Sequence, residues 1–415
     1  MRRDNSLPFP VRRLMAARAA RSLGQGALFA AFTLYLYALG WSAPEIGGTL
    51  SATLLAGAVL TLIVGPLSDR RGRRRFLLVY EVLQAGAALL AMVTAWPPVL
   101  VAAAVMGGFG RGGNGSAGPF APLEQAWLAQ ELPVNRRGAV FSANAAIGFL
   151  GMALGALLAG GVRLLAAPLG MVLAYRSLFL LSMAGSVLAF IFIAGLHEPK
   201  NKKSPPRPAG RQAERSDDRN QVAGENLAEN RMLGRLVIAN TLNGLGIGMI
   251  APLIAYWFAL RFRHGPGSIG PALAGSFLLG ALSSTIVARV ARRYGLIRPV
   301  VVMRGIGLVL LMAVPLMPVF GAAAALFALR SGFNRGTAGV RQALVVGLTG
   351  DRRGLAASLQ NVSIQVPRAV GPLISAFMLH AGMLKAPFFA AAVLQGAYLV
   401  LYARFFKGYV ADGPE

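Results

Sequence analysis

Twelve long, mostly apolar stretches alternate with short polar breaks along the chain, near 14–39, 46–67, 75–95, 98–129, 138–162, 171–196, 232–260, 269–290, 298–318, 320–346, 355–381 and 386–405. A helix needs about 20 apolar residues to cross the hydrocarbon core of a bilayer, so each stretch predicts a membrane-spanning helix. Turn signals divide them, such as WSAPE at 41–45 and WPP at 96–98. The pattern predicts an all-α polytopic membrane protein with twelve transmembrane helices.

One break is longer than the rest. Residues 198–230, EPKNKKSPPRPAGRQAERSDDRNQVAGENLAEN, are polar, mixed in charge and rich in proline. Such a segment has almost nothing to bury and reads as a disordered linker. It predicts an N-terminal six-helix bundle over 1–196, a cytoplasmic linker over 197–231 and a C-terminal six-helix bundle over 232–415. The halves resemble each other. At an offset of 223, Ile46 falls on Ile269, Gly57 on Gly280 and Gly72 on Gly295. At an offset of 216, NRRGAVFSAN (135–144) falls on DRRGLAASLQ (351–360). Two parallel repeats are the layout of a transporter whose site lies at the repeat interface.

Composition narrows the class. Of 415 residues 55% are hydrophobic and only 13% charged, against about a quarter charged in soluble domains. The net charge of +26 would suggest nucleic acid in a soluble protein. Here the basic residues cluster in the N-terminal arm, 70–75, 136–137, the linker, 292–298, 352–353 and 404–407. That distribution orients the chain in a cell's inner (plasma) membrane with both termini cytoplasmic, and gives the cytoplasmic face an attraction for anionic lipid. No nucleic-acid partner is expected. The arm MRRDNSLPFPVRRLMAARAARSL reads as a cytoplasmic arm and not a cleaved signal. With no cysteine and three histidines, neither a metal centre nor a cofactor is expected. No nucleophile–base constellation points to an enzyme. GFGRGG (108–113) and GNGSAG (113–118) satisfy a dinucleotide fingerprint but lie inside an apolar stretch, where glycine serves packing.

GPLSDRRGRRR at 65–75 sits between the second and third spans. It resembles the signature loop of the major facilitator superfamily, matching at Gly65, Leu67, Ser68, Asp69, Arg70, Gly72, Arg73 and Arg74. The fourth span adds RGGNGSAGP (111–119), similar to the family's Arg-x-x-Gln-Gly pattern with Asn114 in place of Gln. The loop ELPVNRRG, ending at Gly138, fits the family's Glu…Arg-Gly turn. The resemblance implies two six-helix bundles working by alternating access, with Gly65, Asp69, Arg70, Gly72, Arg73 and Arg74 forming a gating loop. The second copy of the loop is degenerate, with Arg292 where Asp69 stands. GMALGALLAGG (151–161) partly matches an exporter pattern, and small-residue packing explains it equally well.

Charges inside a membrane are costly and mark function. Among acids only Glu81 and Glu124 fall clearly within spans. Glu124, beside Pro119 and Pro122, is the candidate for proton coupling, and Glu81, two turns beyond Arg74, the candidate partner of the basic loop. The cations Arg21, Arg111, Arg330, Arg335, Arg341 and Arg368 are more numerous. Arg330, Asn334, Thr337 and Arg341 share one helix face, as do Asn361, Gln365 and Arg368, and Arg21 with Gln25. With Asn114 and Asn243, the members Arg21, Gln25, Arg111, Arg330, Asn334, Arg341, Gln365 and Arg368 would line a cavity suited to carboxylate or phosphate.

The expected activity is secondary active transport, as proton-linked efflux of a small organic anion by a monomer. Rival readings are uptake of a metabolite by symport or facilitated diffusion, multidrug efflux, and a non-transporting membrane sensor.

Overall fold

The computed structural model describes residues 7–112, 116–198, 234–294, 297–337 and 353–405, and every long regular element among them is an α-helix. The first half runs α1 Phe9–Ala38, α2 Ala43–Arg71, α3 Arg73–Val93, α4 Pro97–Gly107, α5 Ala121–Gln130, α6 Val134–Gly160, α7 Val162–Leu169 and α8 Met171–Ala194. The second half begins with α9 (234–250) and continues with α10 Ile254–Phe262, α11 Pro266–Tyr294, α12 Ile297–Ala313, α13 Phe320–Gly336, α14 Arg353–His380 and α15 Ala386–Phe405. Among the described residues, seven helical stretches are long and apolar enough to cross a membrane. The expected linker from 199 onward, Asn114 and Arg341 lie outside the described residues.

The repeat is visible in the element bounds. Moved by 223 positions, α2 (Ala43–Arg71) falls on α11 (Pro266–Tyr294) at both ends. Local chemistry sets the bounds of α2. Proline enters its first turn, the Glu45 carboxylate accepts the Ser42 N–H at 2.7 Å, and Gly72, at φ 90°, turns the chain straight into α3.

The fourth expected span is broken, a correction to the continuous helix over 98–129. Gly108, Gly110, Gly112 and Gly118 all have positive φ, and the helix resumes only through a 3-10 turn at Gly118–Phe120. Composition kept the stretch apolar while glycine removed the bias against the left-handed region. The seventh span is interrupted by a 3-10 turn at Ala251–Leu253, which contains Pro252.

Apolar side chains face outward and polar ones inward. On α3, Tyr80, Glu81 and Gln84 are buried while Val79, Val82, Leu83 and Val93 are exposed. This is the pattern of a helix solvated by lipid. Within the first half α1 packs against α6 and α8, and α3 against α8. The halves meet chiefly along α6–α11 and α2–α14. The approach on α6 is backbone-close: Gly155 lies against the Leu23 carbonyl of α1, and Gly270 of α11 lies against Ala156 and Gly160.

Among the described residues, contacts between the halves gather toward the end away from the basic loops. Tyr37 meets Tyr256 edge-on at 5.4 Å, Phe29 meets Phe277 at 5.4 Å, and the Leu373 N–H donates to Ser51 Oγ at 3.1 Å. The larger apolar core runs through this region and draws on both halves, whereas the core at the basic-loop end belongs to the first half alone. Gly270→Leu is expected to wedge this seam open, since overpacking costs about 1–3 kcal/mol. Tyr256 is 4% exposed and the chain has no cysteine, so Tyr256→Cys reports the change. An impermeant maleimide should label it faster in the Gly270→Leu background. Equal rates would show that the seam does not depend on this contact.

Candidate functional site

Three buried charges come together in the first half. Arg21 reaches Glu81 with Nε at 2.8 Å and Glu124 with Nη2 at 2.8 Å. Helix geometry brings them together. Glu81 lies on the buried polar face of α3, Glu124 in the first turn of α5, and Arg21 in α1 between them. Arg18, one turn earlier on α1, is also buried and close enough to interact with Glu124. Two arginines therefore face two carboxylates. Glu81 pairs with Arg21 and not with the basic loop, because its side of α3 faces the interior.

The basic loop finds a different acid. Glu198, just beyond α8, accepts the backbone N–H groups of Arg73 at 2.9 Å and Arg74 at 3.0 Å. It thereby caps the start of α3, where a negative charge is favoured. Arg74 Nη2 donates to the Ala194 carbonyl at 2.6 Å, which ties the loop to the end of α8. Gly65 is helical, and its carbonyl accepts the Ser68 hydroxyl at 2.8 Å. The side chains of Asp69 and Arg70 lie outside the described set.

Beyond the ion pair lies a small cavity of about 20 Å³, lined by Gln25, Gln84, Arg111, Ser182 and the glycines of the fourth-span break. It has room for about one water. Gln25 Nε2 donates to the Ser116 carbonyl at 2.9 Å, which holds the broken segment against α1. The Arg111 guanidinium packs on Gly57, Gly108 and Gly118, beside the Tyr80 hydroxyl. A Cβ at any of those glycines would collide with it.

The second half has a different electrostatic character. Between 234 and 405 the sequence contains one acid, Asp351, which lies outside the described residues. Among the described residues of this half, four arginines are nevertheless turned inward. Arg304 donates to Asn243 Oδ1 at 2.6 Å and stacks over Tyr398 at 5.1 Å. Arg330, 5% exposed, donates to Gln395 Oε1 at 3.3 Å. Arg335 donates to the Ser276 carbonyl at 3.0 Å and lies 4.3 Å over Phe277 and 5.5 Å from the Phe149 ring of the other half. Arg368 donates to the Arg111 carbonyl at 3.2 Å, also across the seam. Asn334 packs near Gly307 of α12, and Gln365 is half-buried on α14.

Arg304 and Arg335 complete this set, although the shared-face pattern of the tenth span selects neither. A signal for Arg335 exists in the repeat: Phe-x-Arg-Gly occurs at 109–112 and again at 333–336. The two arginines also share a packing partner. Arg111 lies on Gly57, and Arg335 lies on Gly280, the repeat mate of Gly57.

Known proteins match this architecture. The sequence profile of the Major Facilitator Superfamily matches residues 14–233 and 236–414. An uncharacterized membrane protein of Saccharomyces cerevisiae is 24% identical over 313 residues, 69% of each chain. A bacterial homologue of the human lysosomal transporter Spinster, solved inward-facing and unoccupied, superposes with a TM-score of 0.74 at 13% identity, covering 99% of this chain and 100% of that one. A D-xylose–proton symporter superposes with a TM-score of 0.67 at 15% identity, covering 97% and 98%.

Proposed function

The chain belongs to the Major Facilitator Superfamily, with the fold of a secondary transporter, and from that premise we propose that it carries a small organic anion out of the cell in exchange for protons. One observation carries the substrate class. The described spans of the second half turn Arg330, Arg335 and Arg368 inward with no carboxylate in those spans, while Arg21 in the first half is matched by two. Guanidinium does not lose its proton in a protein, and a buried charge demands a counter-charge. A visiting anion supplies it.

Both termini lie at the cytoplasmic face of the inner membrane on this reading, which the basic loops support, and the same loops favour anionic lipid. Glu124 is the proton carrier, and the protein works as a monomer, since each chain holds both halves of the site.

Arg330→Ala and Arg368→Ala are each expected to cut anion uptake into inside-out vesicles by about tenfold or more, the loss typical of a charge-assisted hydrogen bond. Unchanged uptake in both variants would remove the anion reading. An equal loss for a neutral solute would show that only folding was harmed.

A further inference from the structure

The F-x-R-G repeat gives the site two matched ends. Arg111 belongs to the first half and Arg335 to the second, each packed on the corresponding glycine of its own half, Gly57 and Gly280. Arg368 of the second half is bonded to the Arg111 carbonyl and lies within electrostatic reach of both Arg111 and Arg335. Arg368 thus links the guanidinium groups of the two halves.

Their present partners are weak for buried cations. Arg335 has a carbonyl and two ring faces, and Arg368 has a carbonyl. Its Nε is buried without an acceptor, as is that of Arg330. The two membrane-embedded acids of the first half are already engaged by Arg21. A ligand with one negative charge would leave two of these three cations uncompensated. Charge-assisted bonds to carboxylate or phosphate are roughly twice as strong as neutral ones, so such a ligand displaces carbonyl and ring contacts.

We propose that the substrate is a small dianion, with one negative end at Arg111, the other at Arg335, and Arg368 between them. This rests on the anion reading above and sharpens it. Because the ends sit on different halves, the bound dianion draws the repeats together. In doing so it takes over the bridging that Arg335 makes with Phe149 and Arg368 makes with the Arg111 backbone. Two carboxylates on a short chain and a single phosphate ester share the required chemistry.

Thermal unfolding of the full chain in detergent tests the proposal with four probes: glutarate, its monomethyl ester, its dimethyl ester and phenyl phosphate. Wild type should bind glutarate or phenyl phosphate at least tenfold more tightly than the monoester. Arg335→Gln and Arg111→Gln should each reduce that preference to near unity, and Arg335→Lys should restore part of it. Glutarate in place of phenyl phosphate as the tighter probe identifies the spaced dicarboxylate, and the reverse identifies the phosphate. Equal shifts from dianions and monoester, including none, overturn the proposal, as does an undiminished preference in both glutamine variants. Stabilisation by the monoester but not the diester would leave the anion reading standing after such a failure. Stabilisation by the neutral diester alone would overturn the anion reading as well.

Discussion

Arg21→Gln is expected to destabilise the protein by about 3–5 kcal/mol, the cost of removing one partner from a buried ion pair. The side chains of Arg21, Glu81 and Glu124 are at most 2% exposed, so solvent cannot take over the lost interaction. Without Arg21, Glu81 loses its ion-pair partner and Glu124 keeps Arg18 within electrostatic reach. Removing one acid along with the arginine should relieve most of the strain. Arg21→Gln/Glu81→Gln is therefore expected to unfold at a temperature much nearer wild type than Arg21→Gln alone. Detergent-solubilised thermal melts of the three proteins decide this. If Arg21→Gln melts with wild type, or the second substitution restores nothing, the three groups are not an energetic unit.

The two halves thus handle charge in opposite ways on one repeated scaffold. In the first, carboxylates from α3 and α5 neutralise α1, leaving Arg111 as the cation beyond the cluster. In the second, amide, carbonyl and aromatic partners serve the arginines, and the spans bring no acid. A repeat that stays symmetric at Gly57 and Gly280 but diverges in its acids has separated two tasks. On the proposed function, the first half holds the proton and the second binds the anion.

Much of this architecture is legible in the sequence, because lipid imposes a simple demand on composition. Apolar length locates the helical stretches, and the offset of 223 anticipates that α2 and α11 share bounds. The fourth span shows where that signal stops. Glycine counts as neither polar nor breaking on hydropathy, yet four positive-φ glycines divide the stretch into α4 and α5. Pairing is harder still. Glu81 lies two turns from the basic loop in sequence, but the rotation of α3 carries it to Arg21. Glu198 looks like the first acid of a polar linker and instead caps α3. Arg335 escapes a search for shared faces because it sits one position beyond Asn334, on the side that meets Phe149 and Phe277. Comparing the halves residue by residue recovers it.

Glu124→Gln is expected to abolish accumulation driven by a pH gradient while sparing counterflow, in which labelled substrate exchanges for unlabelled without a gradient. Glu124 and Glu81 share Arg21, but they are held differently. Glu81 sits within the continuous helix α3, whereas Glu124 follows directly on the glycine break and the 3-10 turn, with Pro119 and Pro122 beside it. Its Oε2 takes Arg21 and its Oε1 is buried without a donor. A proton arriving there would weaken one side of the Arg21 cluster and loosen the adjoining segment of positive-φ glycines. That segment carries Arg111, so on the proposed function protonation and substrate binding meet on the same piece of chain. Exchange requires only that the loaded carrier reorient, and the neutral glutamine permits it. Net movement against a gradient requires the proton to leave and return, and glutamine forbids it. Glu81→Gln should retain gradient-driven accumulation, at reduced stability. Proteoliposomes preloaded at two pH values measure both activities on the same preparation. Wild-type accumulation by Glu124→Gln would remove this residue from the coupling mechanism, and loss of accumulation by Glu81→Gln alone would transfer the role to α3.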